Sequence, residues 1–557
     1  VTQDRAVLEI QRGCIRGCRF CQAGMTYRPN REKDIEILKK QAIEILDNTG
    51  FDEISLSSLS SSDYEKLPKF LDFLIEECEK RHVNISLPSL RIDAFSLSVM
   101  EKVQDVKKSS ITFAPEAGSQ RLRDVINKGL TVDDIMDGSR QAFLGGWNKV
   151  KFYFMLGLPT ETDEDVMAIP ILSDQVAMLY YDTVPKEERH GRCNINISTS
   201  FFVPKPFTPF QWAAMLDPET YIERAHHVKD TFRQQLNAKS LKYTYHESYV
   251  SVLEGVFARG DRRLSKVIYD AYKSGCIFDA WTDFFDNDKW MDAFEKNGID
   301  KEFYTTRERG EDELFPWDFI DTGLDKKWLK NEYIKAFEQP CELNLQPTCE
   351  NRCVICGVCS NLKTKKVLAK KYTAQKEYKI ESRKDPSICS AENNRVLYRY
   401  RLKISKGGIL KYFSHLDWQN TFLKAVSRTG LPVAYSRGFN PTMKISMGIA
   451  LPLFAQSEGE LVDIEMWEDI AIQEVKKQLE KVLPKESKII SIVKIQNDEK
   501  AIEITAEWAE YRIKPIDKKL YDFENLKYNI DRVLSSEEIF IEKKNKKGLL
   551  KKTNNGY

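Results

Sequence analysis

The stretch 6-AVLEIQRGCIRGCRFCQAGMTYRP-29 decides how this chain is read. It opens with a short apolar run, residues 6–11, of the kind that forms a half-buried strand. GCIRGCRFC follows directly and places Cys14, Cys18 and Cys21 within eight residues of one another. Thiolates hold iron–sulfur clusters, and three this close can grip three irons of one cube. No other Cys or His lies nearby; the next are Cys78 and His82, a full strand–helix unit away. A structural zinc closes with four ligands, whereas a catalytic metal keeps one position open. Three thiolates therefore point to a centre with an open position; structural zinc completed by a remote ligand is the plainer alternative.

Working outward, further strands are predicted at 53–57, 83–87, 110–113, 149–156 and 194–201, separated by helical stretches such as 32–48 and 63–81. Pro68 falls in the first turn of the second helix, where a proline is tolerated. Strand–helix alternation at this spacing predicts a parallel sheet with right-handed crossovers. The fold class is thus α/β, a partial (β/α)6 barrel over residues 1–205 with its chemistry at the carboxyl ends of the strands. A helical, aromatic-rich extension is expected over 206–340, a cysteine cluster over 341–360 and a Lys-rich linker over 361–394. Residues 395–540 read β-α-β-β-α-β, an α+β ferredoxin-like sandwich. Residues 541–557 read as a flexible basic tail.

The composition limits the partners. In 557 residues, 85 Lys+Arg against 84 Asp+Glu leave a net charge of +1, so a polyanion would need a local patch. With 42% hydrophobic and 30% charged residues the chain is globular, not disordered. No uncharged apolar run reaches membrane-spanning length and the start has no apolar signal core, so a cytoplasmic location away from membrane is expected. The 12 cysteines cluster as metal sites do in an unsecreted chain. The first residue, Val1, suggests a fragment.

At the first cysteine loop the chain resembles the radical S-adenosylmethionine (SAM) superfamily. Its signature, Cys-x3-Cys-x-aromatic-Cys after the first barrel strand, is met by Cys14, Cys18, Phe20 and Cys21. The resemblance implies a [4Fe-4S] cluster whose open iron chelates S-adenosylmethionine, and an electron donor such as flavodoxin or ferredoxin. It implies that Ser57 and Ser58 meet the SAM amino group and that Glu116 holds the ribose or amino group. Gly157 would let the backbone approach adenine. Against these stand a serine-rich turn for the first pair and, for Glu116, simple ion pairing with Arg121 or Arg123.

QRGCIRGCRFCQAGMTYRP (11–29), SLSSLSSSDY (55–64), TFAPEAGSQRLRDVINK (112–128), VPKPFTPFQW (203–212), ARGDRR (258–263), YFSHLDWQN (412–420) and LPVAYSRGFNP (431–441) narrow the likeness. They resemble the branch in which a cobalamin-binding-type domain precedes the barrel and a radical-SAM-linked domain of unknown function follows it. The cobalamin-type domain would lie upstream of Val1, so cobalamin is not assigned to this chain. Thr442 and Met443 stand where that branch often has His-Pro.

The second cluster, Cys349, Cys353, Cys356 and Cys359, can saturate either zinc or a cubane, with Cys341 able to replace one member. A second iron–sulfur cluster and a zinc both stay open. Ser414, His415 and Asp417 suggest a hydrolytic triad but read better as a helix cap. The arginines of 258-ARGDRR-263 suit an anion clamp or a surface ion-pair turn. RNA, if bound, belongs on the C-terminal domain and the basic linker. The primary reading is a radical SAM enzyme of unknown substrate, with RNA or protein modification in view. The alternative is a non-catalytic iron–sulfur protein that binds RNA or ribosomes.

Overall fold

A computed structural model describes residues 4–87, 91–92, 111–189, 191–338, 349, 352–368, 398–436, 441–502, 510–512 and 522–536, and the backbone of 540–544 and 550–554. Cys341, Cys389 and most of the expected linker lie outside the described residues.

The first strand, β1 (Ala6–Glu9), leads into β2 (Gln11–Arg12), the short helix α1 (Gln22–Thr26) and β3 (Arg31–Glu32). Next come α2 (Ile35–Thr49), β4 (Glu53–Ser57), α3 (Leu67–Arg81) and β5 (Asn84–Ser86). Strands β1, β4 and β5 are neighbours in a parallel sheet. Ile54, Leu56, Leu38, Phe70 and Leu74 are wholly buried between that sheet and its two helices, each contributing roughly 1.5–3 kcal/mol by leaving water. Asp34 caps α2, and Pro68 does stand in the first turn of α3.

The second half of the barrel runs β6 (Ile111–Glu116), α4 (Gln120–Val125), α5 (Val132–Leu144), β7 (Lys149–Leu156), α6 (Asp163–Thr183), β8 (Asn194–Phe201), α7 (Pro218–Gln234) and β9 (Leu241–Tyr245). Strands β6, β7, β8 and β9 lie side by side, all parallel. The α/β partial barrel is therefore the architecture of this region. One element differs from the expectation: β9 lies inside the stretch read as helical. Its sequence LKYTY alternates, but as an edge strand it is half-buried rather than apolar, so its hydrophobic signal is weak. Four more helices follow, α8 (Ser248–Ala258), α9 (Leu264–Lys273), α10 (Asn287–Lys296) and α11 (Lys326–Glu338), then a single turn α12 (Val358–Asn361).

The C-terminal sandwich comprises β10 (Tyr398–Lys406), α13 (His415–Ser427), β11 (Ile445–Met447), β12 (Ser457–Met466), α14 (Ile472–Glu480) and β13 (Ile489–Ile495). The sheet order β11-β12-β10-β13 is antiparallel throughout and is the ferredoxin-like arrangement read from the sequence. Tyr400, Leu402, Ile404, Trp418, Phe422, Val475 and Leu479 fill its core.

This sandwich packs on one end of the barrel. Lys424 pairs with Asp4 and lies 4.4 Å from the centre of the Phe51 ring. Arg428 donates to the Asn48 carbonyl at 3.4 Å, and the His82 and Tyr435 rings stand 4.2 Å apart. Gly50 has φ +67°, and any Cβ there would strike the Lys424 carbonyl. Asp4, Phe51 and His82 immediately precede β1, β4 and β5, so the contact is with the amino ends of the strands.

Residues 500–557 form a separate unit. It contains α15 (Phe523–Leu534), capped by Asp522, and an antiparallel pair, β14 (Phe540–Lys544) and β15 (Leu550–Asn554). In this antiparallel ladder backbone groups satisfy one another despite the lysine-rich sequence.

Candidate active site

Residues 13–30 form a loop closed at its base by the antiparallel pair β2 and β3. Gly13 begins it at φ +88°, and a side chain there would come within 2.6 Å of the Tyr27 carbonyl oxygen and 2.9 Å of that of Pro29. Inside the loop, Cys14 Sγ accepts from the Arg16 amide at 3.4 Å, and Cys21 Sγ accepts from the Gly24 amide at 3.3 Å. Burial pushes the Cys14 thiol up to about 12, reinforced by charge on Cys18. Burial and Cys18 also push Cys21 up, while the Gly24 amide and Lys128 act the other way. Burial thus disfavours the thiolate at both Cys14 and Cys21, and a cationic centre beside them would stabilise it.

Long-range contacts hold the loop in place. Arg16 donates to both carboxylate oxygens of Asp63, at 3.0 and 2.5 Å, tying it to the turn after β4. Burial alone would raise the Asp63 carboxyl, but the Arg16 guanidinium outweighs it and holds the group below its ordinary range. Asn127 donates to the Gly17 carbonyl at 2.9 Å. Arg19 donates to the Val125 carbonyl at 2.7 Å and pairs at 3.4 Å with Glu332 of α11, both side chains almost fully buried. Arg28 donates to the carbonyls of Arg16 and Gly24, each at 3.2 Å, and lies 5.0 Å from the centre of the Trp328 ring.

The other expected site residues stand at the same ends of neighbouring strands. Ser57 ends β4 and its carbonyl accepts from the Ile10 amide at 3.1 Å; the Ser58 hydroxyl is 2.9 Å from that of Ser61. Glu116 ends β6 at φ +71°, a strained setting for a residue other than glycine. Its partner is Lys128, at 3.2 Å, rather than Arg121 or Arg123. Arg121 is taken up by Asp165, and Arg123 is buried with its donors on the Ala117, Gly118 and Leu130 carbonyls. Lys128 also lies 5.9 Å from the centre of the Phe20 ring, and both Glu116 and Lys128 act on the Cys21 thiol. Glu116, Phe20 and Cys21 are thus brought together. Gly157 follows β7 at φ +84° and donates its amide to Glu161 at 2.9 Å. Burial pushes Glu161 up to about 7, although Arg224 pairs with it.

Sequence reasoning missed Asp63, Asn127, Lys128, Arg28 and Glu332. Only Asn127, in the left-handed region at φ +51° that asparagine tolerates, carried a local signal.

The second cysteine segment touches the first loop. The Cys349 amide donates to the Ile15 carbonyl at 2.8 Å, and Lys366 donates to the Cys349 carbonyl at 2.5 Å. Val367 bridges Arg31 in parallel, beside β3. A cavity of about 540 Å³ opens between α11 and the turn Val354–Ile355, apart from the strand ends. Among the described residues, no three Cys, His, Asp or Glu side chains close on one point as a single ion requires. A cubane instead takes each thiolate on a different iron. The thiols of the first loop, with amide donors to two of them and Lys128 beside Cys21, are a donor set that suits such a cluster.

Two other expectations resolve simply. Ser414 and Asp417 form a capping box on α13, so no triad exists there. Arg259 is buried with donors on the Ala213 and Thr305 carbonyls, and Arg263 pairs with Asp261, leaving no arginine clamp in 258–263.

Residues 8–169 match the family described as the radical SAM superfamily. Residues 399–555 match the family described as an uncharacterized protein conserved in bacteria, DUF2344. The chain therefore carries a radical SAM domain followed by a DUF2344 domain. A curated relative, an uncharacterized protein of Methanocaldococcus jannaschii, is 33% identical over 267 residues, 47% of this chain and 53% of that protein. The chain thus spans about half the length of the curated relative it matches. Among solved structures, the radical S-adenosylmethionine methyltransferase TsrM from Kitasatospora setae is 13% identical with a TM-score of 0.29, over 38% of this chain and 41% of that one. Elp3 from Methanocaldococcus infernus is 13% identical with a TM-score of 0.26, over 54% and 65%. No helix among the described residues is long and apolar enough to cross a membrane.

Proposed function

We propose that the chain is a radical SAM enzyme whose Cys14, Cys18 and Cys21 hold a [4Fe-4S] cluster, and that it cleaves S-adenosylmethionine to begin radical chemistry on a substrate still to be identified. The observation that supports this reading is the position of Cys14, Cys18 and Cys21 on one short loop after β1, with Ser57 and Glu116 at the carboxyl ends of β4 and β6. When bound, the cluster supplies the electron that opens the sulfonium C–S bond, giving methionine and a 5′-deoxyadenosyl radical. The chain's own residues do the rest. The Arg16–Asp63 and Arg19–Glu332 pairs fix the loop that presents the thiols. Glu116, held by Lys128, offers a carboxylate to the SAM ribose or amino group. Ser57 and Ser58 present small polar groups to the amino group, and Gly157 lets the β7 end approach adenine. The protein thus binds, orients and excludes water, leaving the hard step to the cofactor.

Anaerobically reconstituted, reduced protein should convert S-adenosylmethionine to 5′-deoxyadenosine, and Cys18→Ala should abolish that conversion. A loaded cluster that never cleaves S-adenosylmethionine overturns the proposal in favour of a binding protein.

A further inference from the structure

We infer that Cys349, Cys353, Cys356 and Cys359 form a second iron–sulfur site built against the first cysteine loop, with its exposed edge serving as the point where electrons enter. Four thiols stand within eleven residues, without the long loop that separates the paired ligands of zinc ribbons; such crowding is the iron–sulfur habit. Cys353 Sγ accepts from the Ile355 amide at 3.4 Å, the same two-residue amide-to-sulfur bond that Arg16 makes to Cys14. Ile355 adopts φ +54° to make this turn. That conformation is an outlier for a β-branched residue, of the kind that collects at ligand sites.

The segment is attached to the first loop at both ends. Cys349 is bonded to Ile15, and beyond Cys359 the Val367 amide donates to the Asn30 carbonyl at 3.0 Å while its own carbonyl accepts from Glu32 at 2.9 Å. Arg28, in the first loop, is only 6% exposed. Its Nε and Nη2 are bonded to the first loop, and its guanidinium lies over the Trp328 ring, which with Val354 and Ile355 lines one cavity. Its Nη1 is buried with no hydrogen-bond partner. An unpaired buried guanidinium N–H is costly, and an anionic cluster on Cys349 would supply its acceptor. Cys353 is exposed and Ile355 is 80% exposed.

One electron from a reduced flavin or iron–sulfur carrier protein converts one ferric centre at this site to ferrous. Passing the electron toward the Cys14 loop returns that centre to ferric, with no bond made or broken and no proton moved. This relay role rests on the function proposed above; the site itself does not.

The test uses the full chain, purified anaerobically, with iron, sulfide and zinc counts and Mössbauer and EPR spectra. Cys14→Ala/Cys18→Ala/Cys21→Ala should keep about four irons and a reducible EPR signal. Cys353→Ala/Cys356→Ala should lose about four irons, keep the first cluster's spectrum and show a several-fold slower carrier-driven rise of its reduced signal. Circular dichroism of each variant checks that it folds, and Cys353→Ser/Cys356→Ser replaces any that does not. One zinc per chain at the second site, or no iron in the triple variant, overturns the site. Retained iron there with no S-adenosylmethionine cleavage by the wild type overturns the relay role alone.

Discussion

Asp63→Asn should loosen the cysteine loop by a predictable amount. Asp63 receives two bonds from Arg16 and its side chain is 5% exposed, against 23% for Arg16. Bonds to a charged partner contribute about 1.5–3 kcal/mol and neutral ones about 0.5–1.5 kcal/mol. Asparagine keeps one acceptor but its Nδ2 cannot accept, so one bond to the charged guanidinium is lost; at the low end of that range this is about 1.5 kcal/mol, a roughly tenfold shift in the loop's opening equilibrium. Native-state hydrogen exchange reads this at the Arg19 and Cys21 amides, which are bonded to Ile126 and Cys18. Those amides should exchange roughly tenfold faster in the variant at pH 7. The pH dependence follows from the direction of the shift. The folded carboxyl lies below its ordinary value, so its stabilising contribution is present above the unfolded pKa, about 4, and is lost as pH falls through the lower folded value. The ratio of variant to wild-type rates at matched pH should shrink steadily below pH ~4. A ratio of one at pH 7, or one unchanged down to pH ~3, refutes the reasoning.

Glu332→Ala leaves Arg19 buried without its carboxylate and should cost about 3–5 kcal/mol, read as a lower urea midpoint. Lys128→Met removes the cation that favours the Cys21 thiolate; iodoacetamide labelling of Cys21 in metal-free protein should slow, as followed by mass spectrometry. Ser414→Ala removes the α13 capping box and should cost about 1 kcal/mol of thermal stability with no change in 5′-deoxyadenosine yield.

The barrel was legible because its strands carry apolar, well-buried runs. EISLS, KVKFYFML and NINISTSF announce themselves by composition, and their bounds agree with β4, β7 and β8. The edge strand β9 escaped because a half-exposed strand needs less apolar sequence. The three thiols were legible because they fall within eight residues of one short loop. The groups that hold the loop were not, since Arg19 and Glu332 are 313 positions apart and only tertiary folding brings them together. Glu116 shows the limit of local reading: two arginines lie closer in sequence, but the buried carbonyls and Asp165 claim them first, and Lys128 is left to reach it.

The seat of the C-terminal sandwich beneath Asp4, Phe51 and His82 divides labour in space. The cysteine loop leaves β1 at the other end of the strands, so the module and the loop occupy opposite poles of the barrel, and whatever the module does it does at a distance from the three thiols.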